Sequence, residues 1–480
     1  MKLWVCIVLI SLFSIVVLAK ILNFTQINEF TNSPQKHNYW KNNWKLDDSP
    51  DKLMWFLQIS DLHISKFSDL ARIKDLQDFC GETVDVIKPS VVLASGDLTD
   101  AKDEFLGSQQ YIEEWKSYYS ALVDSNVLNK TKWLDIRGNH DNFNVESFES
   151  RNDLYQNFSA QGRQNKRSYM KQITVDELQY SFIAIDASVE PGLKRPFHFI
   201  GMLSDTEVNR IERLAQSTQD NGSNYTVWFS HYPTSCIMTP SNRDTIRNIV
   251  GKYDQSMIYV AGHLHTMGGL IKKMYTLQPN GFLELELGDF MRKRLFRIGV
   301  FDHGLFSFVD VKHRTWPVAI ITNPKNLLYN NPYKENPVLA LQSTHIRVLA
   351  FSPDTITECR IRINEGSWQK CEKKTESFFV LQWNPVEYKK GKHKMELFIG
   401  DSSGKVFVQE QYFSLDGTRM GFDLTARFVL MGDVTTIFKT AFGVAFTLCL
   451  IPLLSLRTWY LLVKCKIDPE MFVLFIVTLM

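Results

Sequence analysis

From Leu53 to about Ile320 the chain alternates short apolar runs with longer stretches whose apolar residues fall three and four apart. The runs cover residues 53–59, 91–94, 133–136, 180–185, 226–229 and 257–261. Each has strand length, while residues 71–87 and 109–128 between them have helical spacing. Strands alternating with helices predict an α/β fold with parallel neighbours. Three later runs, 282–287, 296–301 and 305–311, crowd together and predict antiparallel strands at one side of the sheet.

Residues 316–328 keep strand character, and residues 329–337, rich in Asn and Pro, mark a boundary. Residues 338–415 then change to short strands and turns (346–350, 359–363, 378–383, 393–399 and 406–413), the pattern of a small immunoglobulin-like β-sandwich. The expected organisation is a polar linker at 20–52, an α/β domain at 53–330 and a β domain at 338–415.

Both ends are apolar. Residues 3–19 follow a single Lys2 and read as a signal peptide or signal anchor over 1–19. Residues 440–456, interrupted only by Pro452, precede Arg457, Lys464 and Lys466, which place that flank in the cytoplasm. A last run, 471–480, is too short to span a bilayer, so 437–480 is expected to be a membrane region of at least one span with its second run cut short. Asn-x-Ser/Thr sequons at Asn23, Asn129, Asn157, Asn221 and Asn224 agree with lumenal exposure. These features predict an integral protein of a secretory-pathway membrane (endoplasmic reticulum, endolysosomal or plasma membrane), with its α/β domain lumenal or extracellular.

Composition narrows the partners. A net charge of +2, without a basic run interleaved with aromatics, gives no reason to expect nucleic acid. Seven cysteines without a CxxC argue against a thiolate zinc site. Cys359 and Cys371 flank one apparent hairpin, where a disulfide is open to them in an oxidising compartment.

The chemistry gathers at the ends of the early runs. Asp61-Leu62-His63 follows the first, Gly96-Asp97 with Asp100 the second, and Gly138-Asn139-His140-Asp141 the third. His231 follows the fifth and Gly262-His263-Leu264-His265 the sixth. Singly, each has an ordinary reading: Asp97 as a turn residue or cap, His231 as a packed histidine. Together they fall on one edge, because parallel neighbours bring their carboxyl ends to the same side of a sheet. Imidazole and carboxylate without thiolate suit Mn, Fe or Zn. So many donors exceed one site, whereas two ions sharing a carboxylate would use them, activating water and clamping a phosphoryl oxygen.

The blocks D-x-H, G-D, G-N-H-D, H and G-H-x-H, in this order from about Leu53 to Asp310, resemble the calcineurin-like metallophosphoesterases. The resemblance implies a four-layer αββα sandwich, two divalent metal ions, and hydrolysis of a phosphomonoester or phosphodiester by metal-activated water. By position it implies one ion held by Asp61, His63, Asp97 and His265, and a second by Asp97, Asn139, His231 and His263. It further implies that His140 assists the leaving group or steadies the phosphoryl, that Asp100 orients His140, and that Asp141 supports the ligands or caps a turn. Segments 95–102, 132–143, 316–325 and 345–352, with the apolar ends, resemble the transmembrane protein 62 family. The alternative is a membrane-anchored binding or scaffold protein that keeps this fold without turnover; the complete ligand set weighs against it. Specificity is expected in loops 144–171 and 191–199, whose Arg151, Arg163, Arg167 and Arg195 read as solvated charges before phosphate contacts.

Overall fold

The computed structural model describes residues 44–464 apart from 104, 106 and 337. The signal segment 1–19, most of the linker 20–52, the sequon Asn23 and the apolar run 471–480 lie outside the described residues. The described residues up to Met431 cluster as one unit and those from Gly432 as another.

The first sheet holds β1 (Leu53–Ile59), β2 (Val91–Ser95), β3 (Lys132–Ile136), β10 (Leu295–Asp302) and β11 (Leu305–Lys312), in the order β11-β10-β1-β2-β3. β1, β2 and β3 run parallel, and β10 and β11 close the far side antiparallel, as two of the three crowded late runs predict; the third, 282–287, instead joins the second sheet, where it pairs parallel with Ser256–Ala261. The second sheet holds β4 (Tyr169–Val175), β5 (Leu178–Ile185), β6 (Tyr225–Ser230), β7 (Ser256–Ala261), β8 (Tyr275–Leu277) and β9 (Leu283–Glu286), in the order β8-β9-β7-β6-β5-β4. The sheets pack face to face: Phe56, Leu93 and Leu134 share one core with Phe182, Phe229 and Val260. Leu76, Phe79, Trp115 and Tyr118 cover the outer face of the first sheet against Leu57, Val92 and Ala94. The helix Asp205–Asp220 packs on the second sheet at β4 and β5. The layers are thus αββα. β2 is apolar from Val91 to Ala94 because both of its faces are covered, and all of it is buried.

One guanidinium stitches the two sheets. Arg297 on β10 is fully buried, and its Nε and Nη2 donate to the two carboxylate oxygens of Asp310 at 2.7 and 2.9 Å. Nη1 donates to Gln58 Oε1 on β1 and to the Leu285 carbonyl on β9, at 3.0 and 3.1 Å. Removing one partner of a buried pair leaves the other uncompensated. Arg297→Ala is therefore expected to cost about 3–5 kcal/mol, read as a lower urea midpoint. A loss under about 1 kcal/mol, the scale of a surface pair, would mean the sheets are held elsewhere.

The β-sandwich has two sheets. β12 (Val318–Asn323) pairs with β13 (His345–Phe351), and β13 with β15 (Phe378–Gln382). β14 (Ile356–Ile363) pairs with β16 (His393–Asp401), and β16 with β17 (Val406–Phe413). Ile321, Val348, Ile361, Leu397 and Phe413 fill its core, and a disulfide joins Cys359 to Cys371. The sandwich begins at Val318, before the break expected at 330–338. The Asn/Pro-rich stretch is a connection rather than an edge, and its Tyr329 leans on Phe308 of the α/β core at 4.3 Å between ring centroids.

After β17 the chain returns to the α/β domain. The helix Leu424–Met431 buries Ala426 and Leu430 against Ile271 and Met274. Arg247 donates to its last carbonyls, those of Leu430 and Met431, at 2.7 and 3.0 Å. The second unit contains the helix Val434–Lys464, with Pro452 inside it. Its stretch Thr440–Leu461 is long and apolar enough to cross a membrane, with a mean hydropathy of 1.7.

Candidate metal centre

The loops after β1, β2, β3, β6 and β7 meet at one edge. Main-chain bonds set their spacing: Asp61 N–H donates to Gly96 O at 3.0 Å, His63 N–H to Asp97 O at 2.9 Å, and Gly262 N–H to His231 O at 3.0 Å. The approach is close enough to require glycine. A Cβ on Gly138 would stand 2.3 Å from the Asp97 nitrogen, and one on Gly262 would stand 2.3 Å from an Asp61 carboxylate oxygen. Asp61, His63, Asp97, His263 and His265 all have positive φ, between 47° and 83°. Each such non-glycine backbone costs about 1–2 kcal/mol, and strain of this kind concentrates where a constellation is imposed on the chain.

Asp97 sits between two donor sets. Its Oδ2 lies 3.5 Å from His63 Nε2, and its Oδ1 lies 3.3 Å from His231 Nε2. On the first side His265 Nε2 is 2.7 Å from Asp61 Oδ1, and Asp61, His63, Asp97 and His265 each offer an atom within 4.8 Å of the others. On the second side His231 Nε2 is 2.9 Å from Asn139 Oδ1 and 3.2 Å from His263 Nδ1. The opposite ring nitrogens are held by carbonyls: His231 Nδ1 at Ser95 O, 3.1 Å, and His263 Nε2 at Phe199 O, 3.0 Å. Such outer contacts fix which nitrogen faces a metal.

The donor set fits divalent cations. His63 and His265 face each other Nε2 to Nε2 at 3.4 Å. Two facing ring nitrogens share at most one proton, whereas a cation satisfies both lone pairs. Burial alone would push the Asp97 carboxyl up, but the imidazoles of His231, His140 and His63 outweigh it and hold Asp97 well below the usual carboxylate range. Burial disfavours charge on His231, yet Asp97 beside it raises its pKa to about 9. The cluster thus keeps a proton next to the shared carboxylate, and a binding cation would displace it.

His140 lies at the edge of this cluster, its Nε2 3.8 Å from Asp97 Oδ2. Its Nδ1 pairs with the main-chain carbonyl of Asp100 at 2.6 Å. The Asp100 carboxylate stands farther from that nitrogen, at 3.7 Å, and nearer to His63 Nδ1, at 3.3 Å. Asp100 therefore reaches His140 through its backbone, not through the side chain expected to orient it. Asp141 accepts from the N–H groups of Leu98, Thr99 and Gly138 at 3.0, 2.9 and 2.8 Å, which ties the second loop to the third.

Two neighbours of the centre escape a reading by motif. His198 stands edge-on to His140, with ring centroids 5.9 Å apart, and Phe199 supplies the carbonyl that holds His263. Both belong to the loop expected to cover the site, which was their only signal. Of the loop arginines, Arg167 pairs with Asp186 at 3.1 Å and stacks on Phe148, and Arg195 donates to Ser108 Oγ at 3.0 Å and to the Gly107 carbonyl. Arg151 and Arg163 are exposed.

Residues 54–267 match the calcineurin-like phosphoesterase family, and residues 313–419 match the TMEM62 Ig-like domain. Transmembrane protein 62 of the mouse is 41% identical over 409 residues, which cover 85% of this chain and 62% of that protein. An Arabidopsis thaliana protein provisionally named a metallophosphoesterase is 27% identical over 365 residues, 66% of this chain and 49% of that protein. The chain therefore spans 62% and 49% of the lengths of these relatives. Among solved structures, the sulfate thiohydrolase SoxB of Thermus thermophilus overlaps 56% of this chain and 57% of its own, at 10% identity and a TM-score of 0.33, a likeness too slight to bear on function.

Proposed function

The chain carries a calcineurin-like phosphoesterase domain joined to an immunoglobulin-like domain of the transmembrane protein 62 type, and from that premise we propose that it is a membrane-tethered binuclear metallophosphoesterase acting on a phosphomonoester or phosphodiester. The observation that carries this reading is the carboxylate of Asp97, whose two oxygens face different donor sets. One ion would be held by Asp61, His63, Asp97 and His265, the other by Asp97, Asn139, His231 and His263. When bound, two divalent ions (Mn, Fe or Zn) supply Lewis-acid charge and an activated water. The chain's own part is to place and protonate. With Nδ1 held by the Asp100 carbonyl, His140 keeps Nε2 for the substrate. The water oxygen bonds to phosphorus as the ester P–O bond breaks; with Nδ1–H on the Asp100 carbonyl and burial favouring the neutral ring, His140 Nε2 takes up the proton the water gives up and passes it to the departing oxygen.

The test is hydrolysis of an aryl phosphate mono- and diester panel by the purified full chain, alongside elemental analysis. Turnover is expected with two divalent ions per chain and is expected to vanish on chelation. Two bound ions without turnover of any ester would favour the scaffold reading, to which the appended sandwich adds no catalytic group.

We further infer that the α/β domain faces the lumen or the cell exterior. Asn129, Asn157 and Asn221 are exposed, whereas Asn224 is half-buried and accepts the Gln179 N–H at 2.8 Å. The Cys359–Cys371 disulfide suits an oxidising compartment. Glycosidase treatment of the cell-expressed chain is expected to lower its apparent mass, and the triple variant N129Q/N157Q/N221Q to remove most of that change. An unchanged mass in the wild type would contradict a lumenal domain.

A further inference from the structure

The loops around the metal centre expose apolar side chains. Phe197 and Phe199 are 77% and 55% exposed, Leu270 86%, Met267 42%, Phe105 83% and Leu70 63%. Exposed apolar residues scattered singly are ordinary, but a group on one edge marks an interaction site. Leu70, Phe105, Met267 and Leu270 belong to loops that follow ligand-bearing strands, Phe197 and Phe199 to the loop after β5, and contacts join the loops around the centre. The carbonyl of Phe199 reaches His263 Nε2, and Arg195 from the same loop holds Gly107 and Ser108 next to Phe105. Met267 and Leu270 lie two and five residues after His265.

The charge on these loops is lopsided. Lys194, Lys272, Lys273 and Arg292 are exposed and have no carboxylate partner among the described residues. Of the acidic groups nearby, Asp69 is paired with Arg72 and Arg294, while Asp103 and Glu190 accept the main-chain N–H groups of Phe105, Gly107 and Phe148. Aromatic and aliphatic tips beside unpaired cations are what an interfacial surface presents to anionic lipid: the tips enter the headgroup region and the cations meet the phosphates of the leaflet on their own side of the membrane. The same chain also carries a stretch, Thr440–Leu461, suited to a bilayer.

We propose that the rim of the metal centre docks on an anionic phospholipid surface, and that the phosphoester reaching the centre is a lipid headgroup. The second half rests on the phosphoesterase reading; the first does not. Its hydrolysis would put the water oxygen on phosphorus and the proton on the departing alcohol of the lipid.

The test uses the full chain reconstituted in phosphatidylcholine vesicles, with and without phosphatidylserine, and follows amide hydrogen exchange. Exchange in residues 193–199 and 267–273 is expected to slow when phosphatidylserine is present, and the variant F197S/L270S is expected to abolish that slowing. Equal exchange in both vesicle types, or equal slowing in wild type and variant, overturns the docking. Turnover separates the second half. The variant should keep its rate on a soluble aryl phosphodiester and lose at least about tenfold on vesicle phospholipid, the scale of two apolar contacts. Equal lipid turnover in wild type and variant overturns the lipid assignment. Loss of turnover on every ester in the wild type would refute the phosphoesterase reading, while the exchange result would still decide the docking.

Discussion

Asp97→Asn is expected to empty both metal positions together, whereas His63→Ala is expected to weaken mainly one. The substitution is conservative in shape. Asn keeps an oxygen to accept the His140 N–H, now 2.9 Å from Asp97 Oδ1, so the turn after β3 should persist. It removes the charge that faces His63 through one oxygen and His231 through the other. Groups that merely orient a ligand are worth about 10–100-fold in metal affinity, so loss of a shared ligand should cost each ion at least about 100-fold. His63 has no such double role. Its Nε2 faces Asp97 Oδ2 and His265, both on the first side. Elemental analysis after exchange into metal-free buffer checks both variants, with circular dichroism to confirm the fold. An Asp97→Asn chain that retains two ions, or loses only one, would remove Asp97 from its shared position.

The ligand edge is legible in the sequence for a physical reason. A buried parallel strand must be apolar on both faces, so each polar block that interrupts it marks a carboxyl end, and those ends share one edge. The same rule puts Asp61, Asp97, Asn139, His231 and His263 on that edge. What stayed hidden depends on partners far away in the chain. Phe199 meets His263 across 64 residues, from a loop without a period. Val318–Asn323 reads as a strand from its composition, but only its hydrogen bonds to β13 assign it to the sandwich. The helix Leu424–Met431 is too short for its periodicity to be decisive, and its docking on Ile271 and Met274 comes from shape. A sequence displays the Asp100 carboxyl, but the atom that reaches His140 is a main-chain carbonyl, which every residue type possesses.

That carbonyl shapes the second large effect. His140→Gln is expected to leave both ions bound and to lower kcat by about 100- to 10,000-fold on an alkyl phosphoester, the range of a lost general acid. The metal content should hold because neither ring nitrogen of His140 is needed by the donor sets: Nδ1 is spent on Asp100 O, and Nε2 stands 3.8 Å from Asp97. The loss should depend on the leaving group. An alkoxide cannot depart readily without a proton, so its ester depends fully on the proton relayed through Nε2. A nitrophenolate is already stable as an anion, so its ester should lose only about tenfold, less than the span of general-acid effects. Steady-state kinetics on a graded series of phosphoesters measures this directly, and the slope of rate against leaving-group acidity should steepen in the variant. A uniform loss across the series would mean that His140 steadies the transferring phosphoryl and donates no proton. Asp100→Ala provides the contrast. It keeps the main-chain carbonyl that holds Nδ1 and removes only the carboxylate 3.3 Å from His63. Its kinetic slope should therefore stay that of the wild type, with any loss falling on the affinity of the first ion.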